Sequence, residues 1–138
     1  MFTYRQSTGC LSRDGVFIAF GHAGQGEGRN NPAAQDQHNI GPLPRGRYKI
    51  GAWQDQHPHL GPCVAPLIPQ PSSESPGGVN GSGNFDWLCG RGGFFIHGGA
   101  FLPDGSEDPR DSEGCIVLNA PVRKEMRESG DVDLTVIE

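Results

Sequence analysis

Long hydrophobic runs are missing from this chain, and so is any excess of positive charge. Apolar residues fill only 34% of its 138 positions, and no apolar stretch approaches the roughly 20 residues a bilayer-spanning helix needs. No membrane span is expected. The formal net charge of −5 argues against a nucleic-acid binder, which needs a basic stripe to neutralise phosphates. The opening residues MFTYRQSTGCLSRDG lack the basic start and apolar block of a secretory signal. Synthesis in the cytoplasm is therefore expected, with any substrate outside it reached by another route. Cysteine is limited to Cys10, Cys63, Cys89 and Cys115. A cytosolic start disfavours a pair of disulfides. If Cys115 is a reactive thiol, one bridge at most remains. Cys63 and Cys89, flanking the most loop-rich stretch, are its better candidates, and Cys10 reads as a small buried residue.

Glycine and proline are abundant instead. The 22 glycines and 12 prolines supply about a quarter of the chain, which favours turns and short strands over helices. The length suits one domain, residues 1–138. Alternation over residues 1–20, with Ser12-Arg13-Asp14-Gly15 as the turn, predicts a β-hairpin. Residues 21–39 read as a long glycine-rich loop. Ile40 to Ile50 reads as a stiff turn entering a strand, and residues 54–83 as an extended loop or flap. Phe94-Phe95-Ile96 signals a short buried strand, and Ile116-Val117-Leu118 continues as apolar chain. Asn119 as N-cap, Pro121 in the first turn and Gly130 as stop predict one short helix between them. Val132, Leu134 and Val136 alternate as a final half-exposed strand. The fold class expected is mainly β, with one or two short helices and long Gly/Pro-rich loops.

The chemistry concentrates between Phe94 and Asn119. His97 ends an apolar run, and Cys115 follows Ser112-Glu113-Gly114. A thiol nucleophile needs a base to form thiolate and later to protonate a leaving group. The 18 positions from His97 to Cys115 carry no helical or strand pattern, so two neighbouring strands can bring base and nucleophile together. Gly114 lets the backbone turn sharply, so that the N–H groups of Gly114 and Cys115 face an oxyanion. A carbonyl of Gly98 or Gly99 is placed to accept the His97 ring N–H and fix its tautomer. Ser112 supplies a further hydrogen bond. No metal and no cofactor are required.

This arrangement resembles the catalytic signature of the L,D-transpeptidase family, in which His precedes a Ser/Thr-x-Gly-Cys turn. The upstream stretch, with Asn39, Gly41, Pro42, Pro44, Gly46 and Tyr48 in an Asn-x-Gly-Pro-x-Pro-x-Gly-x-Tyr pattern, narrows the likeness. It resembles the small L,D-transpeptidase-like toxins delivered by type VI secretion systems. The resemblance implies a β-sandwich or barrel acting on peptidoglycan stem peptides. Cys115 would be nucleophile, His97 base and then acid, and Ser112 a catalytic-site residue. It also implies secretion toward the periplasm of a target bacterium, through secretion-apparatus components, and a cognate immunity protein in the producer. The family's usual arginine two residues after the cysteine is Val117 here; Arg123 or Arg91 is the expected substitute, with Gly98 and Gly99 lining the substrate path.

Other residues carry weaker signals. HPHLGPC, with His57, His59 and Cys63, suggests zinc but lacks an evident fourth ligand. His22 and His38 flank the glycine-rich loop and read as loop anchors. Trp53, Trp87, Phe94 and Phe95 read as core aromatics. Asp108, Asp111 and Glu113 read as a solvated acidic loop, or as groups that recognise a substrate amine. The alternative to an enzyme is a binding module stabilised by disulfides or zinc.

Overall fold

The computed structural model describes residues 1–70, 88 and 90–138. The chain is mainly β, a curled half-barrel sheet carrying one α-helix. The strands are β1 (Phe2–Arg5), β2 (Cys10–Arg13), β3 (Val16–Phe20), β4 (Gly46–Ile50), β5 (Gln54–His57), β6 (Gly61–Pro69), β7 (Phe95–His97), β8 (Ile116–Val117) and β9 (Asp133–Ile137), with helix α1 (Ala120–Ser129) before the last. Their order in the sheet is β3-β2-β1-β9-β4-β6-β7-β8, with β5 beside β6.

Local sequence accounts for much of this. The predicted hairpin is a three-stranded meander, because β2 pairs with both β1 and β3. Asp14 and Gly15 at the second turn have φ of 49° and 82°, the double positive φ of the type I′ turn whose twist suits adjacent strands. Alternate residues of the central strands point inward: Phe2, Tyr4, Tyr48, Ile50, Leu134 and Val136 are all buried. Val132 lies before β9 and is exposed. Helix α1 has the predicted ends. The Asn119 side chain accepts from Val122 N–H and Gly130 adopts the left-handed conformation. Val122 and Met126, one helical turn apart, insert into the core.

One expectation fails. The predicted flap of residues 54–83 contains β5 and the nine-residue β6, the longest described strand. Proline is tolerated there because β6 changes partner along its length. It pairs with β5 through Val64 and with β4 from Leu67, while Ala65 and Pro66 face β7. The missing donor of Pro66 falls at this junction, and its carbonyl still accepts from Gly51 N–H at 2.8 Å. Residues 71–83, together with Phe85, Trp87 and Cys89, lie outside the described residues. Trp53 is half-buried against the core.

The two ends of the sheet meet. His22, just past β3, forms a two-way backbone bridge with Val117 of β8, at 3.2 and 2.8 Å. Gly21 permits that approach, since a Cβ there would lie 2.4 Å from Val117 O. The curl thus brings the loop after β3 beside β7 and β8.

Candidate active site

Strands β7 and β8 are parallel, with Ile96 opposite Ile116 and His97 opposite Val117. Parallel neighbours need a long crossover, and residues 98–115 provide it without helix or regular strand. His97 and Cys115 line one cavity of about 390 Å³. His97 also lines a second, of about 570 Å³, bordered by Gly98, Gly99, Asn119, Ala120 and Arg123.

His97 is buried, and its Nδ1 lies 2.6 Å from Gly98 O. A carbonyl only accepts, so Nδ1 carries the proton and Nε2 presents its lone pair when the ring is neutral. Burial lowers the imidazole pKa below its ordinary value. The charges of Arg123 and His22 act in the same direction, against Gly98 O and Asp111. Cys115 is half-buried. Burial pushes its thiol up to about 11, opposed by Phe95 N–H and by Arg91. Phe95 N–H donates to Sγ at 3.3 Å. The resting pair is therefore neutral thiol and neutral imidazole. For the thiol, desolvation outweighs the neighbouring donors.

The turn before Cys115 is held by Ser112. Its Oγ, fully buried, donates to Cys115 O at 2.6 Å and accepts from Gly24 N–H at 3.0 Å and Gly114 N–H at 3.2 Å. The hydroxyl is thus occupied by backbone groups, and the Gly114 N–H expected at an oxyanion points to Ser112 instead. Gly114 has φ of 132°, and a Cβ there would lie 2.4 Å from Arg91 Nη2.

Arg91, named from the sequence as a possible substitute for the missing arginine, has a role the sequence did not show. Buried over the ring of Phe94, it donates from Nη1 to Gln35 O and Pro42 O, and from Nη2 to Gly41 O and Glu113 O, at 2.7–3.0 Å. It joins the Gly41-Pro42 motif to the turn carrying Cys115. These bonds make it a clamp rather than a substitute for the arginine missing at Val117. Arg123 is also buried, donates from Nη1 to Leu118 O at 3.0 Å, and lies against Cys63. Its Nε has no hydrogen-bond partner among the described residues. Gly98 makes room for it, since a Cβ there would sit 2.1 Å from Nη1.

At Asp111 the solvated-loop reading fails, although Glu113 is exposed as expected. Its side chain is 1% exposed, with Oδ1 accepting from His22 Nε2 at 2.7 Å. It lines both cavities alongside His97. His22, read as a loop anchor, is buried and faces both Asp111 and Glu107. His57 and His59 line the cavity of Cys115. His57 Nδ1 accepts from the N–H groups of His59 and Leu60, and its ring stands edge-on to Phe95. Among the described residues, the zinc suggested for HPHLGPC finds no ligand cluster there. Cys10, Cys63 and Cys115 are free thiols; Cys10 is half-buried rather than buried. Phe94 is buried in the core. No helix among the described residues is long and apolar enough to cross a membrane.

The profile of the Tlde1 domain matches residues 18–134. Comparison with curated proteins finds no match. The chain belongs to the Tlde1 domain family, a family of type VI secretion effectors acting on peptidoglycan.

Proposed function

We propose that this effector domain is a cysteine acyltransferase acting on tetrapeptide stems of peptidoglycan, as an L,D-carboxypeptidase, a D-amino acid exchanger, or both. The observation that carries the reading is the placement of His97 and Cys115 on one cavity wall, with His97 Nδ1 tied to Gly98 O. Cys115 Sγ attacks the carbonyl carbon of the third stem residue as its proton passes to His97 Nε2. His97 returns that proton to the departing D-alanine nitrogen, leaving a thioester. Water or the amine of a D-amino acid then attacks the thioester, with His97 as base, and the thiol is restored. Both outcomes remove donor stems needed for cross-linking, as suits an antibacterial toxin. An immunity protein in the producing cell and contacts with the secretion apparatus belong to this reading.

The neutral resting pair supports general-base attack rather than a preformed thiolate–imidazolium pair. Phe95 N–H, already on the sulfur, stabilises the thiolate as it forms. Arg123 and the N-terminal turn of α1 border the larger cavity, and both attract the carboxylate of the terminal D-alanine. Ser112 serves as a positioning residue.

The test is mass spectrometry of tetrapeptide muropeptides incubated with purified protein under reducing conditions, with and without D-amino acid. The wild type should yield tripeptide or exchanged tetrapeptide, and Cys115→Ala neither. An unchanged digest with folded wild-type protein would overturn the reading and favour a binding module.

A further inference from the structure

We propose that His22, Glu107 and Asp111 form a binding site for a divalent first-row metal ion, adjoining the His97–Cys115 pair but sharing no ligand with it. One potential ligand atom from each residue lies within 4.8 Å of the others. His22 Nε2 sits 2.7 Å from Asp111 Oδ1 and 3.3 Å from Glu107 Oε1. One imidazole nitrogen and two carboxylates suit ions of the manganese-to-zinc range.

Two further observations point to a cation rather than to a simple surface cluster. Asp111 is 1% exposed, yet its Oδ2 meets no N–H or hydroxyl donor among the described residues. A buried carboxylate oxygen without a donor is costly. That oxygen also faces the other carboxylate. Asp111 Oδ2 lies 3.0 Å, and the Glu107 carboxyl carbon 3.4 Å, from the point where a Gly99 Cβ would stand. Two acidic groups thus converge where Gly99 leaves space. A metal ion relieves their repulsion and satisfies Oδ2 in one step. A cavity of about 380 Å³, lined by His22, Gly99, Phe101 and Glu107, reaches the cluster on one side, and Asp111 lines the two cavities of His97 on the other.

The place in the fold defines what the ion does. Glu107 and Asp111 belong to the crossover between β7 and β8, whereas His22 is bridged through its backbone to Val117. An ion held by all three fastens the crossover to the closing seam of the sheet. Its role is structural; the thiol chemistry proceeds on His97 and Cys115.

Manganese(II) is the appropriate probe, because it prefers nitrogen and oxygen donors to thiols. Titration of the metal-stripped full chain, followed by electron paramagnetic resonance, should show one bound ion, with a Tm that rises as manganese is added. Glu107→Gln, at a half-exposed position that leaves the fold intact, and Asp111→Asn should each weaken binding at least tenfold. His57→Ala and His59→Ala should leave it unchanged. Absence of one-to-one binding would overturn the site and leave a shared proton between Glu107 and Asp111 as the explanation of their proximity. Binding that survives Glu107→Gln at full strength, or that is lost with His57 or His59, would overturn it equally.

Discussion

Two buried arginines flank the candidate site, and they differ in how their donors are engaged. Arg91 places both terminal nitrogens on four backbone carbonyls drawn from three separate segments. Arg123 makes one such bond, keeps Nε unpartnered among the described residues, and borders the cavity beside His97. The same side chain is therefore a clamp in one place and a reserve of donors in the other. Their charges also act on different partners: Arg91 favours the thiolate of Cys115, and Arg123 disfavours protonation of His97.

The largest effect should come from breaking the clamp. Arg91→Met leaves four carbonyls without their donor and should destabilise the fold by about 3–5 kcal/mol, read from urea unfolding. Arg91→Lys should recover little of this, because one ammonium cannot reproduce the planar fork. A loss near zero would mean that the clamp is ornamental.

Arg123→Met should leave the urea midpoint closer to wild type and instead lower kcat/KM on tetrapeptide stems about 100-fold, mainly through KM, as expected for a lost charge-assisted contact to a carboxylate. It should also move the acid limb of the activity profile. In the proposed mechanism His97 acts as base only when neutral, and its lowered pKa keeps it neutral to pH values below the ordinary imidazole range. Removing a nearby positive charge makes the imidazolium less costly, so its pKa rises and the acid limb shifts to higher pH. A downward shift would contradict the assigned neighbour.

Gly98→Ala should produce a milder version of the same defect, about tenfold in kcat/KM, because the new Cβ displaces Arg123 Nη1. In the Arg123→Met background the glycine substitution should add little. Full additivity in that double-mutant cycle would show that Gly98 acts independently of Arg123.

The uneven legibility of these regions has a physical cause. Helix α1 was readable because its signals, Asn119, Pro121 and Gly130, act within a turn of the groups they cap. The Asp14-Gly15 turn and the alternation of β9 are local in the same sense. Strand β6 was not readable, since three prolines mimic a loop until the change of partner at Pro66 is known. The spacing and chemistry of His97 and Cys115 singled out the candidate pair, whereas Phe95 N–H, a contributor through its backbone alone, left no signal in side-chain chemistry.

Short-range rules in the chain thus specified a β-rich domain, its one capped helix and the residues to suspect. The three-dimensional arrangement decided which polar groups lose water and which partners they meet. Arg91 reaches Pro42 across 49 positions, and Asp111 reaches His22 across 89. Burial raises the Cys115 thiol and lowers the His97 imidazole for the same reason. Desolvation and hydrogen-bond satisfaction depend on segments far apart in the chain, and composition or periodicity in one segment carries no record of what will pack against it.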